Sequence, residues 1–360
     1  LLIIMKSKER LKKKLYKFIE KHPKMVKIYS LLTTKLMLLL IIFSYIFLGI
    51  NGYLLLANKL GVSEIVLGRF EILIPMYLNL MQLISLAIAI FLAIFPHEIC
   101  HALIGLKNDM KIEEIALFSF LGLFSGGYVE FDKSEFSIEK ENIPQNENKV
   151  KKEEKALIIE KLKKIKEVSA AGLGINLIIL LLFIFFLLLL PTITNILYIQ
   201  KGVYVVDVIN GSPAEKHGIK PGMIIYAING TKVHNVTEFI EMMRKYNNSL
   251  IILSTSDGDI AILVPSDGKI GVIISDYYAP RYKFLPNYQD MVYLITLIAS
   301  IQLAVIILNA IPMFVSDGSY FLKALILEKA KSFEKAELIN FILNMLGISL
   351  FILNLILSFI

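Results

Sequence analysis

Five long apolar runs constrain the fold of this chain more than any other feature of its sequence. They cover residues 31–50, 75–95, 169–190, 291–311 and 338–360. A helix of about 20 apolar residues crosses the hydrocarbon core of a bilayer, so each run is long enough to be a transmembrane span. The composition agrees, because 56% of the 360 residues are hydrophobic and only 19% are charged. We therefore predict a polytopic α-helical protein of the cell membrane.

The distribution of lysines predicts how the chain is oriented in the membrane. The segment 1–28 is the most basic part of the sequence and directly precedes the first apolar run. Lysine and arginine favour the cytoplasmic side, so we place the N-terminus in the cytoplasm. Alternating crossings then put residues 192–290 outside and the charged segment 133–166 inside. A basic segment can also bind nucleic acid, but its position beside a span favours the orienting role, and no nucleic-acid partner is expected.

Residues 199–276 have the pattern of a small folded domain rather than that of a span. Strand-like stretches alternate with Gly-Pro turns and with an amphipathic helix near 236–245. The run G-S-P-A-x-x-x-G-I-x-x-G-x-x-I-x-x-I-N-G, residues 211–230, resembles the PDZ domains attached to bacterial and archaeal membrane proteases. Such domains generally accept an extended peptide as an added strand.

The PDZ resemblance implies a peptide groove beside the helix at 237–245. Its residues would be those of the first strand: Gly202, Val203, Tyr204 and Val205. The alternative is a β-rich domain that only packs against other parts or spaces them. The predicted fold class is therefore a polytopic α-helical membrane protein with a small extracytoplasmic α/β PDZ-like domain.

These patterns divide the chain into six predicted parts. In order, they are a basic cytoplasmic N-terminal segment (1–28), the first two spans (29–132), a charged cytoplasmic linker (133–166), the third span (167–192), the PDZ-like domain (199–276) and the last two spans (288–360). The sequence begins with Leu1, so Met5 is the expected translation start and residues 1–4 would be upstream read-through. A single cysteine, Cys100, excludes an intrachain disulfide.

The stretch FPHEICHAL, residues 95–103, carries the strongest chemical signal. His97 and His101 are four residues apart, so on a helix they lie on one face and can bind one metal ion. Zinc favours imidazole nitrogen and keeps an open position for water in catalytic sites. Glu98 would be the base that takes a proton from the attacking water. The spacing is typical of zinc proteases.

A catalytic zinc site usually needs a third protein ligand. The histidines outside the motif lie in the basic leader or in the PDZ-like domain: His22, His217 and His234. Lys107 stands where the third histidine of a metzincin would be, so a carboxylate is favoured. Asp317 lies at a matching depth just after Pro312 ends the fourth apolar run, although it could instead cap the helix that follows. The other acidic candidates are Asp109, Glu130 and Asp132.

HEICH and the later motif N-x-x-P-x-x-x-x-D-G (309–318) together resemble the site-2 protease family of intramembrane metalloproteases. The resemblance extends from about residue 75 onward. It implies that His97, His101 and Asp317 bind zinc and that Glu98 is the catalytic base. It also implies that Asn309 holds substrate or stabilises the oxyanion.

Two further stretches bear on this resemblance. AAGLGIN, residues 170–176, is similar to the family's A-G-P-x-x-N motif, with Leu173 in place of proline, and makes Asn176 a neighbour of the site. LFSGGYVEF, residues 123–131, predicts a re-entrant β segment that holds the substrate as an extended strand; an ordinary glycine turn is the alternative. Its candidate contact residues are Gly126, Gly127 and Tyr128.

The resemblance implies a zinc endopeptidase that cleaves transmembrane protein substrates near the cytoplasmic side of the bilayer, with a PDZ-like domain that binds or gates substrate. The expected partners are those substrates, a peptide ligand of the PDZ-like domain and the lipid bilayer; no oligomeric state follows from the sequence. One alternative is a membrane HExxH protease of the prenyl-processing type, which would prefer glutamate as third ligand. Another is a non-catalytic PDZ-bearing scaffold, against which the intact Glu98 argues.

Overall fold

Within the part of the chain that the structure describes, five helices are long and apolar enough to cross a membrane, judged by length and composition. They are Pro23–Lys59, Leu80–Lys107, Ala156–Leu197, Tyr288–Ala310 and Phe333–Phe359. The computed structural model describes residues 2–6, 8–62, 80–120, 124–137, 149–330 and 332–359. Each of the five predicted apolar runs falls largely within one of these helices, as expected of a multi-pass membrane protein.

The described chain forms two compact units, the first made of Leu1–Phe185 with Leu294–Ile360 and the second of Phe186–Tyr293. The elements up to the end of the third membrane-compatible helix are β1 (Leu2–Lys6), α1 (Lys8–Lys21), α2 (Pro23–Lys59), α3 (Leu80–Lys107), β2 (Ile112–Phe120), β3 (Phe124–Phe131), α4 (Lys133–Phe136) and α5 (Lys149–Leu197). Those that follow within the second unit are β4 (Tyr198–Val208), α6 (Pro213–Lys216), β5 (Ile224–Ile228), β6 (Thr231–Lys232), α7 (Val236–Lys245), β7 (Leu250–Thr255), β8 (Gly258–Leu263) and β9 (Val272–Pro280). The chain ends with α8 (Tyr288–Ala310), α9 (Asp317–Lys329) and α10 (Phe333–Phe359).

The helices α2 and α5 extend beyond the segments predicted from hydropathy. Helix α2 begins at Pro23, inside the predicted leader 1–28. Helix α5 runs for 49 residues without a break, so the predicted boundary between linker and span at 166/167 lies within one helix. Hydropathy marks where a helix meets lipid, whereas the helix itself continues for as long as its backbone hydrogen bonds do.

The first unit contains a three-stranded antiparallel sheet in the order β1-β2-β3. The register of β2 and β3 runs from Ile112 opposite Phe131 to Phe120 opposite Phe124, with one irregularity between Ile112 and Glu114. The segment that carries Gly126, Gly127 and Tyr128 is therefore a strand, and the alternative of an ordinary glycine turn is wrong. Because β3 ends the sheet order, one of its two edges has no strand partner within the described chain.

The second unit is built on a six-stranded sheet in the order β8-β7-β5-β4-β9, with β6 paired to β5. Its core consists of buried aliphatic side chains from the strands, including Val203, Val205, Ile225, Ile251 and Leu253. Helix α7 adds one apolar face to this core and is capped at its start by a side chain, that of Asn235, which accepts the Glu238 N–H. The strands and the amphipathic helix predicted within 199–276 are thus present.

The peptide groove predicted at Gly202, Val203, Tyr204 and Val205 is wrong. These residues belong to β4, which lies between β5 and β9 and pairs with both. The Gly202 N–H donates to the His234 carbonyl at 3.2 Å, and the Val205 N–H donates to the Met223 carbonyl at 2.8 Å. A strand can be added only where backbone groups are free, and those of this part of β4 are already paired.

Candidate metal centre

Helix α3 brings the two histidines of the HExxH motif together. The His97 and His101 Nε2 atoms lie 3.0 Å apart, and the two rings meet edge to face. Both residues are buried, with 5% and 8% of their surfaces exposed. The i, i+4 spacing therefore brings the two imidazole rings together on one face of the helix, as predicted.

The carboxylate of Asp317, at the start of α9, completes a cluster with these histidines. Its Oδ2 atom lies 3.1 Å from His97 Nε2 and 3.4 Å from His101 Nε2. Helix α9 is capped by the preceding residue, Ser316, whose hydroxyl accepts the Ser319 N–H at 3.2 Å. The alternative role of Asp317 as a helix cap is therefore taken by Ser316, and the carboxylate is free to face the histidines.

Helix α10 supports the loop that carries Asp317. Phe314 has a left-handed backbone, φ 57°, and its N–H donates to the side-chain oxygen of Asn344 on α10. A Cβ added at Gly347 would lie 2.3 Å from the Pro312 carbonyl oxygen, so only glycine allows this approach. Asn344 is not among the residues predicted from the sequence; the signal that it offers is an amide within an apolar span, where a polar group normally has a partner.

Acceptors on helix α5 orient both imidazole rings. His97 Nδ1 lies 2.5 Å from the side-chain oxygen of Asn176, and His101 Nδ1 lies 2.8 Å from the Val168 carbonyl oxygen. The Asn176 amide donates to the Ala93 carbonyl at 2.9 Å and to Gln302 Oε1 at 2.6 Å, which assigns its oxygen to the histidine. Each Nδ1 therefore carries a hydrogen, and each Nε2 presents its lone pair to Asp317.

A partly buried ion pair between Lys107 and Glu167 holds the Val168 region in place. The Glu167 Oε2 atom accepts from Lys107 Nζ at 2.6 Å, Asn108 Nδ2 at 3.0 Å and Ser30 Oγ at 2.9 Å. These contacts join α2, α3 and α5 one residue before the carbonyl that orients His101. Glu167 is not among the residues predicted from the sequence.

The cluster has the donor set and the spacing that a zinc ion requires. The ligand atoms of a tetrahedral zinc ion lie about 3.3 Å apart when each is about 2.0 to 2.1 Å from the metal. The three distances within the cluster are 3.0, 3.1 and 3.4 Å. The buried Asp317 Oδ2 has no hydrogen-bond donor in the described part of the chain, and a cation would compensate its charge. The residues present therefore fit a zinc ion held by His97, His101 and Asp317.

Gly172 forms one wall of this cluster. A Cβ added at Gly172 would lie 2.4 Å from His101 Nε2 and 2.5 Å from His97 Nε2. No larger residue fits without displacing the rings. The next residue, Leu173, is fully buried at the position where the family motif has proline.

A cavity of about 740 Å³ opens beside the cluster. Its walls include the cluster residues together with Glu98 and Asn309. Strand β3 contributes Val129, Glu130 and Phe131 to the walls, whereas Gly126, Gly127 and Tyr128 lie earlier on the strand and are not among the described wall residues. The exposed Tyr128 hydroxyl donates to Glu114 at 2.9 Å.

Glu98 lies beside the cluster rather than within it. The cluster of described metal-ligating side chains contains His97, His101 and Asp317. The Glu98 Oε2 atom instead accepts the backbone N–H of Val129 at 3.1 Å, which ties the carboxylate to β3. The site thus has three converging ligand atoms and, outside the ligand set, a carboxylate held next to the same cavity.

The other acidic candidates have different positions. Asp132 caps α4 by accepting the Ser134 N–H at 3.0 Å and pairs with Lys111. This lysine holds the pKa of Asp132 well below its usual range, so the carboxylate is charged at neutral pH. Asp109 lies in the turn after α3 with φ 56°, and Glu130 is exposed on β3. Of the acidic residues described, only Asp317 joins the two histidines.

Comparison with known proteins gives one long match and several short ones. A family model described as Peptidase family M50 matches residues 85–353. Three curated proteins, each named "Probable periplasmic serine endoprotease DegP-like", match short segments. They come from Chlamydia pneumoniae (37% identical over 60 residues), Chlamydia trachomatis serovar D (35% over 69) and Chlamydia muridarum (33% over 60). These matches cover 17%, 19% and 17% of this chain and only 12%, 14% and 12% of the relatives.

Proposed function

Because the chain belongs to peptidase family M50, we propose that its His97, His101 and Asp317 cluster is the zinc site of an endopeptidase and that Glu98 is the catalytic base. The observation that supports this most directly is the convergence of three buried ligand atoms from two distant parts of the chain. A carboxylate outside the ligand set, that of Glu98, lies beside the same cavity. This is the minimum that metal-assisted peptide hydrolysis requires of a protein.

The side chains have distinct tasks in the proposed reaction. When bound, zinc would act as a Lewis acid that lowers the pKa of water toward neutral and polarises the scissile carbonyl. Glu98 takes the proton of the attacking water and passes it to the leaving amine. Asn176 and the Val168 carbonyl keep both imidazoles in the tautomer that presents Nε2 to the cavity. Asn309 on the cavity wall donates to the substrate or to the developing oxyanion.

We propose that the substrates are transmembrane proteins. The histidines lie on α3, and their hydrogen-bond partners lie on α5; both helices contain candidate membrane spans. From the positive-inside pattern we propose that the N-terminus is cytoplasmic and that cleavage occurs near the cytoplasmic side. A substrate helix must unwind before hydrolysis because its carbonyls are engaged in its own hydrogen bonds, and an unwound segment can pair with β3.

The identity of the third ligand favours this proposal over a prenyl-processing type of protease. That alternative would use a glutamate, whereas the described cluster contains an aspartate, Asp317. The aspartate comes from a loop that α10 supports through Asn344 and Gly347.

The test uses the full-length protein, purified in detergent and incubated with a single-span model substrate. We expect about one zinc ion per chain by elemental analysis, as a three-ligand catalytic site binds. We also expect a cleavage product whose new terminus maps within the substrate span by mass spectrometry. A chelator should stop cleavage and added zinc should restore it. Absence of zinc would contradict the proposal, and bound zinc without cleavage across several span sequences would favour the non-catalytic scaffold.

We further propose that residues 199–276 form an extracytoplasmic PDZ-like domain that selects substrates. Its groove would lie at the outer edge of β9 rather than on β4, because β9 ends the sheet order. Helix α7 lies beside this strand, and its first N–H, that of Val236, donates to Asp276 on β9 at 2.8 Å. An edge strand next to a helix is where an extended peptide can add to such a sheet.

Replacing residues 199–276 with a short Gly/Ser linker is expected to broaden substrate use, because the gate would be lost while the zinc cluster is retained. The measurement compares cleavage rates of a panel of span substrates that differ only in their extracytoplasmic segments. Zinc content is the control for an intact centre. The same ranking of substrates before and after the replacement would contradict the gating role.

A further inference from the structure

The cavity runs along the outer edge of β3. Three consecutive residues of the strand, Val129, Glu130 and Phe131, line it together with the zinc cluster. Side chains of a strand alternate between its two faces, so a cavity on one face would be lined by every second residue. Contact with consecutive residues means that the backbone edge itself borders the cavity.

The Val129 N–H belongs to this outer edge. Val129 is opposite Ile115 in the β2–β3 register, yet its N–H donates to Glu98 rather than to β2. Opposed residues in an antiparallel pair alternate between bonded and non-bonded positions, and the N–H and C=O of one residue point the same way. Val129 and Gly127 therefore direct both groups away from β2, and Tyr128 directs its groups toward β2. The outer edge carries two N–H groups two residues apart, the spacing that an added strand pairs with.

We infer that the Val129 N–H serves two acceptors in turn, the Glu98 carboxylate in the free enzyme and a backbone carbonyl of the substrate in the complex. The inference rests on the proposed function. A substrate strand that pairs with β3 needs this N–H, and one N–H makes one good hydrogen bond at a time. Pairing therefore releases Glu98 from β3 at the moment when a peptide bond is next to the zinc cluster.

This sharing gives Val129 a specific part in the reaction. In the free enzyme the bond fixes the base beside the cavity. In the complex the substrate carbonyl replaces Glu98 as acceptor, and the released carboxylate can accept the proton of the attacking water. A segment that does not pair as a strand leaves Glu98 bound to β3 and is cleaved poorly. Strand pairing and the availability of the base are thus coupled through one backbone group.

The test is Val129→Pro, because proline lacks the N–H and is tolerated on an edge strand where that group points away from the sheet. The sharing predicts that KM rises about 2- to 10-fold, the effect of one lost hydrogen bond, while kcat changes by less than about 2-fold. Gly127→Pro removes the neighbouring N–H of the same edge and leaves the Glu98 donor in place, so it should also raise KM. Zinc content confirms that each variant has an intact centre.

A fall in kcat with unchanged KM for Val129→Pro would overturn the inference, because the N–H would then only orient Glu98. A second measurement applies if Val129→Pro does not fold. Binding of the uncleaved span substrate is compared between Glu98→Ala, which removes the competing acceptor, and Glu98→Gln, which keeps one. Tighter binding by Glu98→Ala, by about 2- to 10-fold, supports sharing, and equal affinities overturn it. Failure of the wild type to cleave any span substrate would instead contradict the proposed function.

Discussion

Glu98→Gln is expected to reduce kcat by about 100- to 10,000-fold, the usual contribution of a general base, and to leave the zinc content unchanged. Glutamine has the same shape and still accepts the Val129 N–H, but it cannot take a proton from water. Glu98 is not one of the three clustered ligands, so the metal should stay bound. The measurement is cleavage of the span substrate together with elemental analysis.

Glu113→Gln is the matched control, because Glu113 is exposed on β2 and should retain wild-type turnover and zinc. Loss of zinc from Glu98→Gln would show that the carboxylate contributes to metal binding. Full turnover by Glu98→Gln would exclude Glu98 as the base. The candidate bases would then be two other carboxylates of the cavity wall, those of Glu130 and Asp132.

Asp317→Asn is expected to weaken zinc binding by more than about 100-fold, since loss of a direct ligand should exceed the effect of losing an outer partner. Asparagine keeps the shape of the side chain and removes the negative charge that balances the metal. Helix α9 should persist, because its cap is the Ser316 hydroxyl. Zinc affinity is measured by competition with a chromophoric chelator, and the unfolding temperature reports on the helix.

Asp259→Asn makes the same chemical change at an exposed position on β8 and should leave zinc binding unaltered. Retention of zinc by Asp317→Asn would mean that the third ligand lies elsewhere, as the prenyl-processing alternative requires. Equal losses of zinc and of thermal stability would mean that the substitution acts through the fold rather than through ligation.

The parts of the site that follow from local periodicity could be predicted from the sequence. The positions of His97 and His101 depend only on one turn of helix, and the apolar runs are long enough to indicate spans by themselves. The role of Asp317 could not be predicted from periodicity alone, because Ser316 and Asp317 are both residues that cap helices. The sequence offers two adjacent candidates for one cap, and only the folded loop determines which one faces the histidines.

The parts that depend on strand order and on buried partners could not be predicted. The strand 202–205 has the alternation of any half-buried strand, and nothing in it distinguishes a central position from an edge. In this sheet the last strand along the chain, β9, lies next to the first, β4, so the free edge appears about 70 residues after the predicted one. Asn344 and Gln302 are polar residues within apolar runs, and Glu167 ends a charged stretch; the partners of all three are distant in sequence.

The close approach of Gly172 to both histidines offers a way to distinguish active from inactive proteins among related chains. A homologue can keep HExxH and the later aspartate, so that all three ligands are present in its sequence. A side chain at the position of Gly172 would nevertheless occupy the space beside the two rings. Such a chain would be expected to have lost its metal without losing a single ligand. A residue larger than glycine at the position aligned with Gly172 is therefore expected to indicate lost activity, even where all three ligands are present. The identity of this residue can be read from the sequence of any homologue.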